Sequence, residues 1–204
     1  LAFIKDERDT MRVEEEMIVH AIKKVKEECA KYLELFDVKI KVPETPFPEL
    51  LIPDVYKILK KEGKNITGHD LDAEAEKLIW EYVQKKFKAE FYFFNRFPFK
   101  IKPFYVMRVD ENPTEARSVD LNFKGLEMSS GGQREHRYEK IMQNIKEKKM
   151  NLKNVEWFTK FFKYGVPPHG GFALGIERLT QKLLNVENVR EATLFPRDPE
   201  RLVP

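Results

Sequence analysis

The run from Tyr164 to Leu179 restricts this chain more than any other. It strings Gly170, Gly171 and Gly175 along a short apolar segment that closes on Glu177-Arg178. An apolar helical pattern precedes it, Gly165 interrupts that pattern, and Pro167-Pro168 stiffen the exit. Glycines inside a strand mark a place where something comes close to the backbone, because no Cβ holds it off. An arginine just past such a strand, opening the next helical pattern, brings a planar cation to that bare surface. The spacing therefore predicts a strand running into a helix, with a floor for a flat, anionic ligand. A glycine-rich turn with Glu177 and Arg178 facing water is the plainer reading, since short glycine motifs recur by chance.

A second constellation lies upstream. Asp120, Glu127 and Ser130 surround one expected hairpin, followed by Gly131-Gly132-Gln133-Arg134-Glu135-His136-Arg137. Carboxylates and a hydroxyl are hard oxygen ligands, and Mg²⁺ held by one or two carboxylates completes its shell with water and nucleotide phosphates. Arg134 offers a carboxylate a bidentate fork. A solvated hairpin with incidental charges would show the same letters. The two stretches together are harder to dismiss, because an acid-binding arginine, metal carboxylates and a glycine floor are complementary parts of one adenylating site.

The remaining chain supplies a frame. Apolar positions recur at helical spacing from about Arg8 to Phe36, predicting one long amphipathic helix in which His20 is an ordinary surface or core histidine. Pro43, Pro46, Pro48 and Pro53 then forbid a helix and disfavour a central strand. A short helix around Val55 to Leu59 stops near Gly63, and Asp70 or Asp72 caps a further helix carrying Leu78, Ile79, Tyr82, Val83 and Phe87. Residues 54 to 88 thus read as a small helical insertion outside the catalytic core. The aromatic runs 90–95 and 103–107 predict an antiparallel strand pair, and 118–123 and 126–130 predict two more strands joined at Lys124-Gly125. The fold class is α+β, one antiparallel sheet flanked by helices.

Composition sets the bounds. The 204 residues with 42% hydrophobic content can bury one sizeable core. Thirty-seven basic against 34 acidic residues leave a net charge of +3, too little to argue for nucleic-acid binding from charge alone. A single cysteine, Cys29, forms no intramolecular disulfide and fits a reducing, cytoplasmic setting. No apolar run approaches the about 20 residues that span a membrane. Leu1-Ala2-Phe3-Ile4 starts without methionine as a strand cut through its middle, which predicts a piece of a longer protein.

Residues 125–139, 162–179 and 194–202, reading Gly-Leu-Glu-Met-Ser-Ser-Gly-Gly-Gln-Arg-Glu-His-Arg-Tyr-Glu, Phe-Lys-Tyr-Gly-Val-Pro-Pro-His-Gly-Gly-Phe-Ala-Leu-Gly-Ile-Glu-Arg-Leu and Leu-Phe-Pro-Arg-Asp-Pro-Glu-Arg-Leu, resemble the aspartyl-tRNA synthetases of archaeal and eukaryotic type. Residues 101–107 are another typical segment, residues 171–178 resemble the third signature motif of class II synthetases, and residues 54–88 are the least diagnostic part. The paired glycines before Gln133 favour the archaeal form.

The resemblance implies the C-terminal part of a class II catalytic domain, acting as a homodimer. Such an enzyme activates L-aspartate with ATP to aspartyl-adenylate, then moves aspartate to tRNA(Asp), with tRNA(Asn) a second candidate. By motif position, Glu127 would bind ATP and Mg²⁺. Ser130 would bind Mg²⁺ and lie beside the amino acid, with Asp120 a further member of the metal network. Arg134 would grip the aspartate side chain. Arg178 would lie on the adenine and reach the phosphates, and Gly175, Ile176 and Glu177 would form the adjoining nucleotide wall. His169 would line the pocket or stabilise its turn.

The pattern also departs from the family. Ala173 replaces a common glycine, and the first two signature motifs and the anticodon-binding β-barrel are absent. The expectation is half an active site, inactive alone. Asparaginyl-tRNA synthetase, a synthetase-like asparagine synthetase and a non-catalytic paralogue acting as a binding module are the alternatives.

Overall fold

The computed structural model describes residues 1–66 and 69–203. In chain order it contains α1 (Glu7–Glu28), α2 (Ala30–Leu35), β1 (Glu49–Leu51), α3 (Ile52–Lys61), α4 (Ala73–Phe87) and β2 (Phe91–Asn95). β3 (Ser118–Phe123), β4 (Leu126–Arg134), α5 (Tyr138–Glu147), α6 (Glu156–Thr159), β5 (His169–Leu174) and α7 (Ile176–Leu184) follow. The strands form one sheet in the order β1-β2-β3-β4-β5, parallel between β1 and β2 and antiparallel elsewhere. This is the expected α+β architecture.

The period-2 alternation of β2 and β3 sorts their side chains onto two faces. Phe91, Phe93, Val119, Leu121 and Phe123 join Met11, Ile18 and Ile22 of α1 and Leu179 and Leu183 of α7 in the main core. Phe91 and Phe123 are cross-strand partners whose rings stack at 4.1 Å and 4°. On the second face, Tyr92 and Phe94 pack against Ile52, Val55 and Leu59 of α3 and Ala75, Ile79 and Val83 of α4. The helices of the expected insertion therefore cover half of the sheet's second face. The other half, over β4 and β5, stays open. At the boundary, β3 presents polar but buried Ser118, Asp120 and Asn122.

Two expectations need correction. The single helix over 8–36 breaks at Cys29, whose ψ of 16° leaves the helical range. Residues 103–107 do not pair with β2. That strand has β1 and β3 as its neighbours, while 103–107 crosses the end of β4 through a bridge between Val106 and Arg134 and a hydrogen bond from Glu135 N to Tyr105 O of 2.9 Å. Pro103 has no N–H to donate to a ladder, and Phe104 is drawn instead into a separate cluster with Ile141, Ile145 and Phe162. Leu1–Ile4 lies along the outer edge of β5, with Ala2 bridged to His169 and Gly170 N donating to Leu1 O at 3.0 Å. Asp72, rather than Asp70, caps α4 by accepting from Ala75 N. In the proline-rich connector, β1 is an edge strand, as its prolines require.

Beneath the sheet, Glu14 of α1 is only 1% exposed and accepts a hydrogen bond from Ser129 Oγ. Burial outweighs that bond and pushes its carboxyl up to about 7. Its folded pKa lies above the ordinary value of 4.5, so its contribution to stability is complete below pH 4.5 and is lost as pH rises through 7. Glu14→Gln keeps the Ser129 contact without the charge. The variant is expected to unfold with a flatter pH dependence between 5 and 8, gaining on the order of a few kcal/mol over wild type at the upper end. Denaturant titrations at both limits measure this, and equal slopes for the two proteins would count against it.

Candidate active site

A β-bulge builds the site. Residues three apart on a regular strand point to opposite faces, so Glu127 and Ser130 should diverge. Between Leu121/Asn122 and β4 the register shifts: Leu121 pairs with Ser129 and Asn122 with Glu127, leaving Met128 as the extra residue. The extra residue resets the alternation. Glu127 then shares the open face with Ser130, which pairs with Asp120 on one side and Ala173 on the other.

Around Ser130 lies a cavity of about 300 Å³ lined by Lys102, Tyr105, Ser130, Gly132, Arg134, Gly171 and Ala173 among others. Arg134, at the end of β4, is exposed and sits 5.4 Å from the Tyr105 ring centroid. Among the described residues no carboxylate lies within ion-pair distance of it. Arg178, in the first turn of α7, crosses back to β4, where its Nη1 donates to Glu127 O at 2.8 Å and lies 3.4 Å from Glu127 Oε1. Gly175 caps that helix and donates to Met128 O at 2.8 Å, tying the glycine run to the bulge. Ile176 and Glu177 follow it, both exposed.

Asp120 is buried. Its Oδ2 accepts from Lys102 Nζ at 2.9 Å, while its Oδ1 has no partner. Burial, and then the charge of Asp120, raise the carboxyl of Glu127, with Arg178 and Lys102 acting in the other direction. Two carboxylates that repel one another, one with an unpaired buried oxygen, form a donor set that fits a hard divalent cation. Among the described residues no group of three His, Cys, Asp or Glu side chains converges to hold a metal. Such a cation would therefore take its other ligands from water and phosphate.

The expected site residues from β3, β4 and α7 meet on one open face, whereas His169 does not line the cavity. Its Nδ1 lies 3.0 Å from Pro167 O and braces the turn before β5. The glycines of the two stretches also differ. A Cβ on Gly171 would meet nothing within 4 Å, so this residue is open to a ligand, but one on Gly132 would lie 2.2 Å from Arg117 O. Sequence reasoning missed Lys102, Tyr105 and Glu76. Lys102 and Tyr105 lie in a segment taken for a linker and a strand, and only their neighbours' side chains reveal them. Glu76, on α4, feels Glu127, Arg178, Asp70 and Asp120, and burial followed by the Glu127 charge pushes it up to about 7.

Residues 1–199 match the family described as tRNA synthetases class II (D, K and N). The chain is 45% identical over 205 residues to the aspartate–tRNA(Asp) ligase of Pyrococcus furiosus, covering all of this chain and 47% of that protein. It superposes on an aspartyl-tRNA synthetase from Entamoeba histolytica with a TM-score of 0.94 at 28% identity, covering 100% of this chain and 43% of that one. It also superposes on asparaginyl-tRNA synthetase from Pyrococcus horikoshii complexed with asparaginyl-adenylate, with a TM-score of 0.89 at 33% identity, covering 100% and 47%. The chain spans about half the length of the curated relatives it matches.

Proposed function

We propose that this chain, which belongs to the class II tRNA synthetases (D, K and N), is the C-terminal part of an aspartate–tRNA ligase catalytic domain, with the rest of its homodimeric, cytoplasmic parent upstream. The observation that carries the choice of amino acid is Arg134. An exposed guanidinium with no carboxylate partner among the described residues, at a cavity that also holds Ser130, suits both oxygens of a side-chain carboxylate better than a neutral amide, which offers one acceptor and no charge.

Reaction of aspartate with ATP brings a carboxylate to the α-phosphate, anion against anion, so catalysis rests on positioning and charge neutralisation. Mg²⁺ would supply much of that neutralisation and polarise the phosphate, and Glu127, Ser130 and Asp120 are the residues that would hold it. Arg134 orients aspartate by its side chain, leaving the α-carboxylate free to attack the α-phosphorus and displace pyrophosphate. Arg178 and Glu127 are the catalytic residues. Arg178 lies over the adenine and reaches the phosphates, Glu127 meets ATP, and Gly175, Ile176 and Glu177 wall the nucleotide. Lys102 holds Asp120 in place through their 2.9 Å ion pair. A hydroxyl of the terminal ribose of tRNA(Asp) then attacks the activated carbonyl and releases AMP, with tRNA(Asn) a second candidate acceptor.

The likeness to the asparaginyl enzyme favours asparagine as a second reading. ATP–pyrophosphate exchange by the full-length protein with each amino acid separates the two. Exchange dependent on aspartate is the expected result. Exchange dependent on asparagine would transfer the chain to the second reading, and exchange with neither would leave a synthetase-shaped binding module.

A further inference from the structure

Glu76 stands on α4, the helix that closes the covered half of the second face. It is half-buried, and among the described residues its carboxylate has neither an ion pair nor a hydrogen bond. One helical turn on, Trp80 stacks on Tyr92 with centroids 6.3 Å apart at 17°, and a Cβ on Gly125 would come within 3.1 Å of Trp80 Cβ. Residues four apart share a helix face, so Glu76 overhangs the same part of the sheet. The row beneath it is Tyr92, Asn122 and Glu127, paired laterally across β2, β3 and β4, with Asp120 two residues along β3.

Three buried polar atoms in this place lack partners: Tyr92 OH, Asn122 Oδ1 and Asp120 Oδ1. Their residues are at most 4% exposed. A buried polar atom without a partner is costly. Two of the three can only accept, so the missing neighbour must donate hydrogens or be a cation. The surrounding carboxylates of Glu76, Glu127 and Asp120 add a negative excess that Lys102 and Arg178 do not cancel.

We propose that Glu76 is a positioning residue for a hydrated divalent cation held against Glu127 and Asp120, its carboxylate receiving hydrogens from the cation's waters, with Asn122 and Tyr92 binding the others. This deepens the proposed function and rests on its nucleotide and Mg²⁺ site. It assigns to α4 a part in the chemistry, in place of a merely structural one. The cation's outer waters would be fixed from above by Glu76 and from below by the sheet, a support that tunes metal affinity without direct ligation.

The test titrates Mn²⁺ into full-length protein in the presence of ATP, following free Mn²⁺ by electron paramagnetic resonance. Glu76→Gln is expected to weaken Mn²⁺ binding about tenfold. It should also raise the Mg²⁺ concentration that half-activates pyrophosphate exchange by a similar factor, with the KM for aspartate unchanged and exchange restored at high Mg²⁺. Glu76→Asp, which keeps the charge, should lose less. Far-ultraviolet circular dichroism checks that each variant is folded, and Glu76→Asp carries the test if Glu76→Gln is not. Unchanged Mn²⁺ affinity and Mg²⁺ dependence in folded variants would overturn the role of Glu76 alone. A wild-type protein that binds no Mn²⁺ with ATP would overturn the metal site as well.

Discussion

Arg134→Ala is expected to cut kcat/KM for aspartate-dependent pyrophosphate exchange by about 10³-fold, in the full-length protein, while ATP binding persists. Two charge-assisted hydrogen bonds at roughly 1.5–3 kcal/mol each account for that size. Lysine should rescue little, because an ammonium is a point charge and cannot span both oxygens of a carboxylate. The position is well prepared for the fork. Arg134 closes β4 opposite His169 and beside the bridge to Val106, and Tyr105 lies under its guanidinium. The Tyr105 loop is itself held by Asn144 of α5, whose Nδ2 donates to Phe104 O at 2.9 Å. A variant that keeps exchange within tenfold of wild type would remove Arg134 from the amino-acid site.

Gly132→Ala should act on the fold instead. Gly132 has a φ of +138°, and a Cβ there would lie 2.2 Å from Arg117 O and 2.9 Å from Ser118 Cα, both backbone atoms of the neighbouring strand segment. Nothing flexible stands in the way that could yield. The expected loss is about 3 kcal/mol or more, a large share of the roughly 5–15 kcal/mol that holds a domain together. In a thermal melt this corresponds to a fall of roughly 6–12 °C. Gly171→Ala is the companion. Its Cβ would enter the open cavity, so the melting temperature should hold while substrate binding weakens. Equal melting temperatures for wild type and Gly132→Ala would show that the β3–β4 backbone can part at this point.

Much of this molecule is legible as a string of residues. The aromatic runs of β2, the alternation in β3, an aspartate cap at Asp70 or Asp72 and the amphipathic pattern of α1 are local, so the α+β class and most element positions follow from spacing. The residues now gathered at the site, Asp120, Glu127, Ser130, Arg134 and Arg178, were also identifiable by chemical type and motif. Their arrangement was not. In a regular strand Glu127 and Ser130 point apart, and only the cross-strand register, with Met128 as the extra residue, turns both to one face. That register depends on β3, which local spacing does not see.

The glycines divide for the same reason. Gly132 and Gly171 are the same letter, but one is bare because Arg117 O crowds it and the other because a cavity opens above it. Lys102, Tyr105 and Glu76 lie in stretches whose letters suggest a linker, a strand and an insertion, and each gains its meaning from a partner distant in the chain. The sequence by itself determined which elements form and which residue types are available for chemistry. Tertiary structure alone decided which of them face one another, because facing is set by strand register and helix placement over contacts between distant parts of the chain.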